Sequence, residues 1–184
     1  MKITKLLGFQ VLDSRGRPTV AASITLEDGS THTARVPSGA STGKHEALEL
    51  RDGEQLGKKS FYGSLSVSKA VENVNVLIAP RIVGNQIDLN SIDGAIRQLD
   101  SSSNFSSLGA NATLAVSLAA AKASAHTQNV SLARYFQPEG NLLIPMPMVN
   151  ILSGGAHANR SLDLSSMMYL QSHCSTSVSS ACKA

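Results

Sequence analysis

Between Pro18 and Leu26 the chain repeats with a period of two: Val20, Ala22, Ile24 and Leu26 alternate with Thr19, Ala21, Ser23 and Thr25. Successive side chains of an extended backbone point to opposite faces, so the pattern predicts a half-buried strand. Turn-forming residues bracket it. Asp13-Ser14-Arg15-Gly16 comes before, closing a first strand over Ile3 to Val11. Glu27-Asp28-Gly29-Ser30 comes after and opens a third strand over Thr31 to Val36. A short antiparallel meander follows from these three runs.

The meander delivers the stretch VPSGASTGKHEALELR, Val36 to Arg51. Gly39 and Gly43 sit among small residues, Ser38, Ala40, Ser41 and Thr42, and glycine lets a backbone turn without a Cβ penalty. Pro37 closes the extended run, and the helix-prone KHEALEL follows. A polar loop on such a scaffold is a candidate lid or ligand clamp; its alternative is a solvated connection.

Helical patterns occupy the next ninety or so residues. Ser64 can cap a helix in which Leu65, Ala70, Val71, Val74, Leu77 and Ile78 recur, ending around Pro80. Asp88 can cap another, with Ile92, Ala95, Ile96 and Leu99 on one face. Ser101 to Asn104 reads as a loop. Asn111 to Ala125 is apolar on most faces, with Lys122 its only formal charge, which predicts a buried helix. Ser131 to Phe136 reads as a short helical turn, and Gln137 to Asn141 as a boundary. Strands followed by helices predict an α+β domain over residues 1–137.

A second unit is predicted from Leu142. Leu142 to Leu152 reads as a buried strand, Ser153 to His157 as a loop, and Leu162 to Leu170 as a second strand. Residues 171–184 are serine-rich and aperiodic, and read as irregular.

Composition narrows the partners. Sixteen basic and thirteen acidic side chains leave a dispersed net charge of +3, with no basic cluster interleaved with aromatics, so nucleic acid is not expected. No apolar run is long enough to cross a bilayer and the N-terminus lacks a signal-peptide pattern, so a soluble cytoplasmic protein is expected. Cys174 and Cys182 lack metal-ligand spacing and read as reduced thiols.

Three blocks in order, VLDSRGRPTV, VPSGASTGKHEALELRDG and PMPMVNILSGGAHA, resemble the enolase family from about Ile3 to about Leu164. The resemblance implies an N-terminal domain of three antiparallel strands and helices, followed by a modified (β/α) barrel. Such a barrel takes about 250 residues; 43 follow Asn141, so only its first strands are expected, over 142–170. The resemblance also implies interconversion of 2-phosphoglycerate with phosphoenolpyruvate and water. In that chemistry a lysine removes the proton beside the carboxylate and two Mg²⁺ ions hold the dianion that forms. Enolases are typically dimers.

By that resemblance Ser41 matches a lid serine that ligates the second Mg²⁺, and Ser38, Gly39, Ala40, Thr42 and Gly43 match the rest of the lid. His157 matches a histidine of a second mobile loop that approaches substrate; on the residues alone it reads as a surface-loop histidine. Arg15 matches a family arginine, with a structural or subunit-contact role. Ser165 and Ser166 stand where the family has an adjacent Gln-Glu pair, and a serine hydroxyl cannot replace a carboxylic acid as proton donor. The main Mg²⁺ carboxylates and the base lysine are not matched in this chain. An inactive chain of lyase descent is therefore expected. The alternatives are a non-catalytic module that binds a full-length enolase, and a gene fragment without function.

Overall fold

The computed structural model of the chain describes residues 1–39, 43–53, 61–145, 148–152 and 167–170, the last two stretches by backbone alone. It divides into two compact units, Met1–Tyr135 and Phe136–Ala184. The first opens with β1 (Ile3–Leu12), β2 (Pro18–Leu26) and β3 (Thr31–Arg35). They form an antiparallel sheet in the order β1-β2-β3, with Gly8 opposite Ala22 and Ile24 opposite His32. The α+β class and the meander hold as read from the sequence.

The strict alternation of β2 does not hold along its whole length. Val20, Ala22, Ile24 and Leu26 are buried, but so are Thr19 and Ala21. As the central strand, β2 has neighbours on both sides, and the Thr19 hydroxyl finds an acceptor in the Val36 carbonyl at 2.7 Å. Ser23 and Thr25 lie half-buried, and the Ser23 hydroxyl pairs across the sheet with that of Thr33 at 2.6 Å.

The helices back this sheet. The helical run after the loop starts at α1 (Ser68–Glu72), passes through a π-helical segment (Asn73–Ile78) and continues as α2 (Ala79–Ile82). Ser64 does not cap it. The cap comes from Asp52, whose carboxylate accepts the Ser68 and Lys69 N–H groups at 3.0 and 2.9 Å. Nor does Pro80 end it. Ala79 N–H reaches back five residues to the Val74 carbonyl, so the missing donor of Pro80 falls in the first turn of α2, where it costs least. Ala70, Val74 and Ile78 are buried, whereas Leu65 and Leu77 are exposed.

Asp88 caps α3 (Leu89–Leu99) as read from the sequence, accepting from Ser91 N–H at 2.8 Å, and Ile92 and Ile96 are buried. In the loop after it the buried Asp100 carboxylate gathers four donors: the Ser102 N–H and hydroxyl and the Ser107 and Leu108 N–H groups. Burial raises its pKa, but these bonds outweigh burial and hold it below the usual carboxylate range. The Ala-rich α4 (Ala110–Thr127) packs on β2 and β3, and Ala112, Ala115, Val116, Ala119, Ala120 and Ala123 enter the main core. The short α5 (Leu132–Phe136) follows.

Both sheet edges carry side-chain or loop partners, which blunts their tendency to pair with another chain. On β1, Gly8 exchanges both main-chain groups with the Asn75 carboxamide at 2.8 and 2.9 Å. Ile3 does the same with the backbone at Gly84 and Asn85. On β3, the Thr33 carbonyl accepts from Lys122 Nζ.

In the second unit β4 (Met148–Leu152) pairs antiparallel with β5 (Met167–Leu170). Of the strand expected over Leu142 to Leu152, residues 142–145 lie outside β4, and Leu143, expected buried, is 74% exposed. Pro145 lacks the N–H a ladder needs. The loop 153–157, residues 162–166 and the tail 171–184 lie outside the described residues.

A Cβ built on Gly8 would lie 2.7 Å from Val74 Cβ and Cγ1. Gly8→Ala is expected to cost about 1–3 kcal/mol by overpacking, read from urea unfolding. Val74→Ala in the same chain should recover part of that loss; a Gly8→Ala variant as stable as the wild type would contradict this close approach.

Candidate functional site

The base of the glycine loop is built from the end of the sheet. Val36 remains in register beyond β3: its N–H donates to the Val20 carbonyl at 3.0 Å and its side chain is buried. Two residues on, Ser38 is held from three directions. Arg15 Nη2 donates to its carbonyl at 2.5 Å, Arg51 Nη2 donates to its hydroxyl oxygen at 3.2 Å, and that hydroxyl donates to Glu49 Oε2 at 3.3 Å.

Arg51 is the hub. Its Nη1 donates to the carbonyls of Pro18 and Leu65 at 2.6 and 2.5 Å, and its Nη2 also meets Glu49 Oε1 at 2.6 Å. One planar guanidinium thus joins the start of β2, the loop base and the segment ahead of α1. A fixed fork of donors is what allows this.

KHEALEL is not helical. Residues 44–45 form a turn, and 46–50 belong to no helix or strand. Their backbone bonds go to other segments: Leu48 N–H to the Asn104 carbonyl, Ala110 N–H to the Leu48 carbonyl, and both Leu50 groups to the Asn111 carboxamide. Glu49 and Arg51, two residues apart, meet here at 2.6 Å, whereas on a helix residues two apart do not face each other. Gly109, at φ +91°, lets this segment approach α4, since a Cβ there would lie 2.5 Å from Leu50 Cβ. On the far side of the loop, Gly43 N–H donates to Glu46 Oε2 at 2.7 Å. Gly43 is not in a left-handed conformation and has room for a Cβ, so its backbone here does not require glycine.

Arg15 belongs to the same assembly. Asp13 Oδ1 accepts the N–H groups of Arg17 and Arg15 at 2.8 Å each, and with the Arg17 bond as the largest cause the carboxyl lies below its usual pKa. Asp13 Oδ2 is buried without a hydrogen-bond partner, 3.7 Å from Arg15 Nε. These side chains, with Thr19, Arg35, Pro37 and Ser38, line an open groove of about 320 Å³.

Of the residues singled out in the sequence, Arg15, Ser38, Gly39 and Gly43 are described here, Gly39 and Gly43 being exposed. Ala40, Ser41, Thr42, His157, Ser165 and Ser166 lie outside the described residues. Sequence reasoning passed over Arg51, Glu49 and Glu46. The signal for the first two was their spacing of two, hidden by reading the segment as a helix. Among the described residues no three His, Cys, Asp or Glu side chains come together as a cation site. A lone serine oxygen is also too few ligands for Mg²⁺, so these side chains do not by themselves fit that ion.

An antiparallel meander backed by helices, with a polar loop fastened at the edge of the sheet, defines an α+β domain that presents a loop. The sequence description "Enolase, N-terminal domain" matches residues 3–136. The chain belongs to the enolase family. Similar curated proteins are the enolase of Campylobacter lari, 46% identical over 169 residues, and that of Campylobacter jejuni subsp. doylei, 48% identical over 169 residues. Each match covers 91% of this chain and 40% of the relative. Among the described residues no helix is long and apolar enough to cross a membrane.

Arg51→Ala would take this donor from Glu49 Oε1 and from two carbonyls, an expected loss of about 1–3 kcal/mol by urea unfolding. Arg51→Lys should recover less than half, because an ammonium cannot fork to four acceptors. Equal stability of Arg51→Lys and wild type would contradict the hub role.

Proposed function

We propose that this chain supplies the loop-presenting N-terminal part of a Mg²⁺-dependent lyase that interconverts 2-phosphoglycerate with phosphoenolpyruvate and water, a cytoplasmic step of glycolysis. We further propose that the 184 residues alone do not catalyse it. The observation that carries the first statement is the fastening of Ser38 by Arg15, Arg51 and Glu49 in a chain of the enolase family. A loop held at its base can swing or close as a unit, excluding water and completing a site. On this reading Ser38, Gly39, Ala40, Ser41, Thr42 and Gly43 are the cover, Ser41 gives one oxygen to Mg²⁺, and His157 approaches substrate. Residues 1–137 are the N-terminal domain, 142–170 open a barrel, and 171–184 form an irregular tail.

The second statement rests on chemistry. Removing a proton beside a carboxylate needs a base and close divalent charge. The serines at 165 and 166 supply neither a base nor a proton-donating acid. In a coupled assay with Mg²⁺ and 2-phosphoglycerate the purified chain is expected to show no turnover above background; Mg²⁺-dependent turnover would overturn the statement.

A second reading is favoured by the compactness of Met1–Tyr135, which encloses its own core. Such a domain could bind a full-length enolase in place of one subunit. Size-exclusion chromatography of a mixture should then show co-elution. Separate elution, together with poor solubility cured by truncation near Gln137, would instead favour a fragment without function.

A further inference from the structure

Two residues four apart on α4 reach the edge of the sheet. Lys122 Nζ donates to the Thr33 carbonyl of β3 at 2.8 Å, and His126 Nε2 lies 3.1 Å from Asp28 Oδ2 in the β2–β3 turn. Positions i and i+4 share a helix face, so one face of the last turns of α4 is tied to β3 and its turn. His32, on β3, completes the group. Its ring centroid is 4.7 Å from that of His126, with the planes at 44°, and its Nε2 is 3.1 Å from Ser30 Oγ.

Counting protons assigns the tautomers. The Asp28 carboxyl is held down to about 2, chiefly by the Ser30 hydroxyl, then by the Ser30 N–H and by His126. Near neutral pH it is therefore ionised and only accepts. His126 Nε2 must carry the proton it offers to Oδ2. The single hydroxyl proton of Ser30 goes to Asp28 Oδ1 at 2.7 Å, so His32 Nε2 must donate to Ser30 Oγ. Both neutral rings are Nε2–H tautomers, and each takes its next proton at Nδ1.

We propose that His32 and His126 form a proton-operated clasp between the β2–β3 hairpin and the last turns of α4, closed while at most one of them is charged and loosened when both are. A charged His126 completes an ion pair with Asp28. Charging His32 as well sets two imidazolium rings 4.7 Å apart beside the Lys122 ammonium, against the one carboxylate of Asp28. The groups facing His32 are thus His126 and Lys122 from α4 and Asp28 from the turn.

Burial, then the positive charge of His126 and, more weakly, of Lys122 lower the His32 pKa below its ordinary 6.5, while Asp28 opposes them. The unfolded chain therefore binds more protons than the folded one in the window between the folded value and 6.5, and stability falls as pH drops through it. Above 6.5 this contribution is absent. Asp28 adds stability above its ordinary 3.8, which is lost as pH falls from there to about 2.

Imidazole NMR of the 184-residue chain, titrated from about pH 8 to about pH 4.5, tests the clasp. Expected are Nε2–H tautomers for both rings at the upper end and a His32 midpoint below 6.5. That midpoint should rise in His126→Gln, whose carboxamide keeps a donor for Asp28 without the charge. Amide exchange over Thr31–Arg35, corrected for its intrinsic pH dependence, should quicken several-fold as His32 titrates, and should not do so in His32→Gln. An Nδ1–H tautomer at His32, an unmoved midpoint in His126→Gln, or exchange in β3 that merely follows the whole chain would each overturn the proposal. Should either variant fail to fold, the wild-type tautomer and midpoint decide: a midpoint at or above 6.5 overturns it.

Discussion

Everything in the first unit leans on the contact between α4 and β2. Small side chains let α4 lie close to the sheet, and it offers alanines at 112, 115, 119, 120 and 123 around the single larger Val116 that it places in the core. The strand answers with Val20, Ala22, Ile24 and Leu26. Close packing of this kind gains dispersion and apolar burial while leaving little room for adjustment. Gly109 and Asn111, at the start of α4, carry the packing outward by seating the segment around Leu50.

A second, polar layer fastens the loops to that core, and it is made of ions with several short bonds each. Asp52 caps α1, Asp100 closes the turn after α3, Asp13 shapes the β1–β2 turn, and Arg51 joins three separate segments. Charge-assisted bonds are stronger than neutral ones, and each of these groups has multiple partners rather than one exposed ion pair. The glycine loop therefore leaves the domain from a fixed base at Ser38 and returns through a turn closed by Glu46. This fastened base is the physical ground on which the loop is proposed as a cover.

The sequence made the meander, the two longer helices and the Asp88 cap legible because period-two and period-3.6 patterns are local. What it hid were elements whose partners are distant. KHEALEL has helix-forming residues, yet its backbone bonds go to Asn104, Ala110 and Asn111. Tertiary bonding overrode propensity there. Pro80 looked like a stop, because nothing local announces the π-helical segment that lets the helix pass it. Ser64 looked like a cap, while the actual cap lies at Asp52. Of the candidate site, the loop itself was legible from its glycines and hydroxyls, but its anchors Arg51 and Glu49 were not.

Hydrogen–deuterium exchange of the whole chain tests the central contact most directly. If the α4–β2 seam is what the first unit depends on, amides of Val20 to Leu26 and Ala115 to Ala123 should be the slowest in the chain and should exchange together, with the rate of global unfolding. Exchange in α4 as fast as in the short α5, while β2 stays protected, would contradict the account.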